Sequence, residues 1–253
     1  MRKPLVRLIR EEFPEPATRD TAVSHAVLRR VSDGLEPETL RLHRPADVVA
    51  FGPKDRLAPG FAEAVEAARS AGFGSVLRLA GGRAAVFTRA CIAFSWAIPD
   101  PDPRPGIRAR FEELAALVAA AFRDLGIDAH VGEVPGEYCP GEHSVNARGR
   151  VKLMGVGQRI LQRAAHVGGV VVVEGAARVR DVLVPVYRAL DLSWDPTTVG
   201  SLAEEAPGTT WDRAAQAILG RFGERRRLET GSLSAETLAL AERLESRHAP
   251  TGA

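Results

Sequence analysis

Apolar side chains recur every three to four positions over residues 18–33, where Val23, Val27 and Val31 mark one face and Gly34 follows the end. With Thr18 or Asp20 available as N-cap, that spacing predicts a helix. Two short β-like runs follow, 39–44 with Leu40 and Leu42 alternating, and 48–51, separated by Pro45. Helical spacing returns over 61–71 through Phe61, Val65 and Ala68, and stops at Gly72. From 75 to 98 the period is mostly two, broken at Gly81 and Gly82, which predicts adjoining strands. Four prolines in the seven residues 99–105 exclude regular structure and predict a stiff connector.

A long amphipathic helix is predicted next from Ile107, Phe111, Leu114, Val118, Phe122 and Leu125, closed by Gly126. A strand over 127–131 leads into an irregular segment, 132–147, and then into strand-like runs at 151–154, 156–163 and 169–173. Residues 178–190 return to a helical pattern in which Pro185 should kink or interrupt the helix. Beyond Gly200 the pattern changes to two amphipathic helices, 209–222 and 234–248, joined by a charged, glycine-bearing link. The chain is therefore expected to divide into a main domain, 1–199, and a helical C-terminal appendage, 200–253.

Composition narrows the functional classes. Apolar residues make up 45% and charged residues 26% of 253 positions, which fits an ordinary folded protein. The 34 basic and 32 acidic side chains leave a formal charge of +2, too balanced to make nucleic acid the expected ligand. The basic run Arg225 to Arg227 lacks interleaved aromatics and reads as a solvated surface. Residues 1–13 lack the unbroken apolar core of a secretory leader, and no stretch is long enough to span a bilayer. Two cysteines, Cys91 and Cys139, fit free thiols in a reducing cytoplasm.

Three segments carry candidate chemistry. The first runs from Arg78 through Gly81 and Gly82 to Phe87; its glycine pair allows a ligand to approach the backbone closely. The second, Gly136-Glu137-Tyr138-Cys139-Pro140-Gly141, sets Cys139 in a turn rather than on an apolar face, whereas Cys91 opens a strand and reads as structural. The third, Val151 to Arg159, holds the lone Lys152 among β-forming residues, with Gly155 and Gly157 baring backbone nearby. An ammonium near Cys139 would favour the thiolate, the form that attacks carbonyls.

Together the segments resemble the catalytic domain of lipoate–protein ligases and octanoyltransferases. The resemblance rests on Arg78, Gly81 and Gly82, then Lys152, Gly155, Gln158, Arg159, His166 and Val170 to Val173, and covers roughly 18–195. The run Tyr138-Cys139-Pro140-Gly141 is similar to the cysteine-dependent octanoyl amidotransferases. This resemblance implies an α+β fold, a mixed and mostly antiparallel sheet flanked by helices. It also implies Cys139 and Lys152 as catalytic residues, with Arg78, Gly81, Gly82, Gly155, Val156, Gly157 and Gln158 around the substrate. The implied reaction moves an octanoyl or lipoyl group through a cysteine thioester onto a lysine of lipoyl-domain proteins, namely the glycine-cleavage H protein and E2 subunits of 2-oxoacid dehydrogenases. No metal or cofactor is expected. The alternatives are a lipoate ligase using ATP and Mg²⁺, in which Cys139 is incidental, and a non-catalytic acyl or lipoyl-domain binder. The acyl tail needs an apolar slot, expected among alternating residues near Val86 and Val156.

Overall fold

The computed structural model describes residues 3–250; residues 1–2 and 251–253, the outermost parts of the N-terminal segment and of the expected appendage, lie outside the described residues. In chain order the strands are β1 (Leu5–Ile9), β2 (Thr39–His43), β3 (Val48–Phe51), β4 (Gly74–Leu77), β5 (Ala85–Phe87), β6 (Cys91–Pro99), β7 (Ala129–Val131), β8 (Val145–Ala147), β9 (Val151–Ile160), β10 (Ala164–Val172) and β11 (Arg227–Thr230). The helices are α1 (Arg19–Ser32), α2 (Phe61–Ser70), α3 (Ile107–Asp124), α4 (Ala176–Ala189), α5 (Leu202–Glu205), α6 (Trp211–Arg225) and α7 (Ala235–Leu244).

An eight-stranded sheet runs β11-β1-β2-β6-β10-β9-β8-β7, antiparallel from β2 to β7 with two parallel pairings at the β11-β1-β2 edge. A smaller sheet, β4-β3-β5, lies beside it. The α+β class and the mostly antiparallel sheet flanked by helices are as expected.

Alternation along the strands divides the core. Val6, Leu8, Leu40, Leu42, Trp96 and Val167 pack with α3 and α6. Ile9, Ala97 and Ala164 instead meet α1 and α7. The small sheet packs with α2 and α4 through Phe51, Phe61, Val86, Val179 and Leu183. Successive strand residues face opposite ways, so one sheet supplies walls to two cores.

The structure extends the sequence reading in several places. Residues 200–253 carry β11 as well as helices; β11 pairs with β1 in register from Leu5–Arg227 to Leu8–Thr230. Trp211 of α6 is buried against the main core, and its indole N–H donates to the Cys91 carbonyl at 2.8 Å. The link expected between the two C-terminal helices is thus partly strand. β9 is one continuous strand where two runs were expected, and β10 begins at Ala164 rather than at Gly169. Helix α4 passes through Pro185 without ending. The residue whose carbonyl the proline cannot serve, Asp181, is exposed, so water can replace the missing donor.

Candidate active site

A cavity of about 610 Å³ opens between the small sheet, β9, the segment 138–144 and the start of α3. Arg78, Gly81, Gly82, Cys139, Lys152, Gly155, Val156, Gly157 and Gln158 all line it. Every site residue expected from the sequence therefore lines this one cavity.

Cys139 sits in the left-handed region at φ 44°, which a non-glycine residue occupies only when its surroundings hold it there. Both of its backbone groups are pinned. Its N–H donates to the Tyr187 hydroxyl at 2.8 Å, and that hydroxyl donates to the Ala84 carbonyl at 2.9 Å. Burial pushes the Tyr187 phenol well above its ordinary pKa, so the hydroxyl keeps the proton it donates. The Cys139 carbonyl accepts from Lys152 Nζ at 2.8 Å.

The thiol itself faces donors from the glycine-pair loop. Sγ accepts the Arg83 backbone N–H at 3.2 Å and Arg78 Nη1 at 3.4 Å. Close approach requires glycine at 82, where φ is +107° and a Cβ would lie 2.9 Å from Sγ and from Arg78 Nη1. The loop is braced by Asp55, fully buried, which accepts from the Gly52 N–H and pairs with the Arg83 guanidinium at 3.2 Å.

Lys152 is almost fully buried, and its three ammonium protons are all engaged, by Glu137 Oε1 at 2.8 Å, Tyr138 O at 3.0 Å and Cys139 O. Glu137 also accepts from Ser144 Oγ at 2.6 Å and from the Gly141 and Val134 amides. The ammonium lies 4.8 Å from the Tyr138 ring centroid, a further favourable contact for a buried cation. Gly155 leaves room for the lysine stem, since a Cβ there would stand 3.2 Å from Lys152 Cε.

Two expectations change. The cation bonded to the thiol is Arg78, whereas Lys152 grips the backbone that carries the thiol. Gln158 lines the cavity, but its amide serves α3: Nε2 donates to the Ile107 carbonyl at 2.7 Å and Oε1 accepts from Arg110 at 3.2 Å. Near the expected slot, Val86 turns into the core while its strand neighbours Ala85 and Phe87 line the cavity with Val156 and Val170. Glu137, Tyr187, Asp55 and the Arg83 amide had been given no role from sequence. Glu137 carried the one available signal: a carboxylate two residues before the cysteine, to match the lone lysine on an apolar strand. Among the described residues no group of three or more His, Cys, Asp and Glu side chains is placed to hold a metal ion. None of their helices is long and apolar enough to cross a membrane.

The lipoyl protein ligase A/B catalytic domain model matches residues 16–223. The chain belongs to this family. The octanoyl-[GcvH]:protein N-octanoyltransferase of Oceanobacillus iheyensis is 26% identical over 204 residues, covering 77% of this chain and 72% of the relative. A relative of the same name from an Exiguobacterium species is 31% identical over 122 residues, 47% of this chain and 42% of that one. Among solved structures, a lipoate protein ligase from T. acidophilum with bound lipoic acid superposes with a TM-score of 0.75 at 20% identity, covering 98% of this chain and 96% of that one. A structure of a bipartite lipoate protein ligase and its E2 lipoyl domain from Thermoplasma acidophilum gives a TM-score of 0.76 at 19% identity, over 98% and 93%. At these identities the structural likeness speaks to the fold.

Proposed function

We propose that the chain is an acyltransferase that carries an octanoyl group as a thioester on Cys139, between a lysine of one lipoyl-domain protein and a lysine of another. The observation that carries this reading is the Cys139 thiol, partly exposed at a cavity wall and receiving two N–H donors, one of them cationic. Relatives named for octanoyl transfer from the glycine-cleavage H protein support the donor.

In the first half, sulfur bonds to the acyl carbon, the C–N bond of the donor amide breaks, and the thiol proton leaves with the donor amine. In the second, the acceptor lysine amine attacks the thioester, the C–S bond breaks, and a proton returns to sulfur. Arg78 and the Arg83 amide stabilise negative charge on sulfur as it attacks and as it departs. Lys152, its charge met by Glu137, holds Cys139 in its strained conformation by gripping the Cys139 carbonyl. Ala85, Phe87, Val156 and Val170 form the apolar wall for the acyl chain. E2 subunits fit the acceptor role, and the cytoplasm is the compartment in which Cys139 stays reduced.

The test is octanoyl transfer from octanoylated H protein to an unmodified lipoyl domain without nucleotide. Transfer is expected, and Cys139→Ser should abolish it. A requirement for ATP and Mg²⁺ with an unimpaired Cys139→Ser variant would replace this reading with that of a ligase.

A further inference from the structure

Arg78 reaches the Cys139 sulfur from the irregular loop that follows β4, the outer strand of the small sheet. On its inner side β4 pairs with β3, and the Arg78 amide donates to the Phe51 carbonyl at 3.0 Å. Among the described residues no strand pairs with its outer side, so the backbone groups of Leu77 that point there need another partner. His248 is that partner. The Leu77 N–H donates to the His248 carbonyl at 2.8 Å, and the Leu77 carbonyl accepts from His248 Nδ1 at 2.8 Å.

A carbonyl can only accept, so that second bond places a proton on His248 Nδ1. Burial pushes the His248 pKa below its ordinary value, so the ring is neutral at pH 7 and its Nε2 is an acceptor. It accepts from His25 Nδ1 of α1, 3.0 Å away. The segment that carries His248 is itself tied to α1. Glu245 pairs with Arg19 at 2.5 Å, and Ala241 and Leu244 of α7 pack with Ala22, Val23 and Ala26. Leu79, which follows Arg78 in the chain, packs against the same apolar cluster. Both chain neighbours of Arg78 are therefore held by the layer of α1 and the C-terminal segment, Leu77 through its backbone and Leu79 through its side chain.

We propose that His248 is a positioning residue for the reactive thiol: it closes the outer edge of β4 and so fixes where the Arg78 guanidinium meets Cys139 Sγ. This deepens, and rests on, the reading of Cys139 as the nucleophile. Arginine has a long side chain with much conformational freedom to lose, so its hold on sulfur depends on how firmly its backbone is placed. Without the imidazole the Leu77 carbonyl turns to water, and the loop that starts one residue later can carry Arg78 off the sulfur. The neighbouring charges do not substitute for it. Lys152 is met by Glu137 and Arg83 by Asp55, so Arg78 is the cation whose displacement a thiolate registers.

The test is alkylation of Cys139 by iodoacetamide as a function of pH, followed by peptide mass so that the buried Cys91 is scored separately. In His248→Ala the midpoint of the rate profile should move up by about one pH unit, because a thiolate that loses its cation is harder to form. His248→Asn, whose side-chain amide can donate to Leu77 in place of Nδ1, should restore most of that shift. In an Arg78→Ala background the same His248→Ala change should have no further effect, since the cation through which it acts is gone. His248→Phe keeps a ring and removes the donor, and its midpoint decides if His248→Ala does not fold. An unmoved midpoint in a folded Ala or Phe variant overturns the proposal, and so does an equal shift in the Arg78→Ala background. No acyl donor takes part, so a failure of acyl transfer is read separately from these outcomes. A wild-type Cys139 that iodoacetamide modifies at no pH would overturn the reading of Cys139 as a nucleophile and the positioning role with it.

Discussion

The Lys152 ammonium and the Glu137 carboxylate meet at 2.8 Å with their side chains 1% and 0% exposed. Glu137 also gathers Val134, Gly141 and Ser144, so one carboxylate closes the segment that presents Cys139 and ties it to β9. Removing one partner of a buried pair leaves the other charge uncompensated. Glu137→Ala is expected to destabilise the fold by about 3–5 kcal/mol. Glu137→Gln, which keeps the shape and an acceptor oxygen, should cost less. Urea unfolding of both variants checks the order, and a reversed order would show that the charge is not what holds the segment.

Tyr187 makes a prediction for activity. Its hydroxyl is the acceptor for the Cys139 amide and a donor to Ala84. Tyr187→Phe leaves both backbone groups without that partner, at a cost of about 1–3 kcal/mol. The rate of Cys139 acylation should fall more than the loss of folded protein explains, because the thiol loses one of the two bonds that fix its backbone. Thermal melting beside single-turnover acylation separates the two effects.

At Gly82 the expectation is steric. A Cβ in Gly82→Ala would stand 2.9 Å from Sγ and from Arg78 Nη1, at a φ of +107°. Both thiol contacts should be displaced, and stability should drop by about 1–3 kcal/mol. Gly81→Ala is the control, because nothing lies within 4 Å of a Cβ there. Acylation rates that fall equally in the two variants would contradict the close approach at 82.

Stability should also depend on pH in a defined window. Burial lowers the His166 pKa from 6.5 to about 3, and burial followed by the charge of His248 lowers that of His25 from 6.5 to about 4. Both rings bind protons more readily unfolded than folded. Their contribution is therefore complete above pH 6.5 and is lost as the pH falls toward the folded values. For His166 the loss by pH 4.5 is on the order of 2–3 kcal/mol. Urea midpoints measured from pH 7 to 4.5 should fall steadily, with a flatter slope in His166→Leu.

Much of this architecture was legible in the pattern. The helices near 18–33, 61–71 and 107–125 follow from apolar spacing because each buries one consistent face, and the strands β2, β3 and β6 from runs of residues buried on both faces. β11 was not legible: Arg227-Leu-Glu-Thr carries a single apolar residue and is a strand because β1 pairs with it. β1 does alternate, with Val6 and Leu8 facing one core, but five residues among charged neighbours are too short a run to set a strand apart. The site residues were legible as segments. Their bonds were not, since the partner of Lys152 was fixed only when the chain turned at 136–141 and brought Glu137 and the Cys139 carbonyl to it. For the same reason the cation on the thiol proved to be Arg78, which lies 61 positions away along the chain.

The central claim is that Cys139 carries the acyl group. The direct measurement is the intact mass of the protein after mixing with octanoylated H protein in the absence of nucleotide. The account predicts one octanoyl adduct, sensitive to hydroxylamine and absent in Cys139→Ala. No adduct on the wild-type chain, or an adduct that persists in Cys139→Ala, would contradict it.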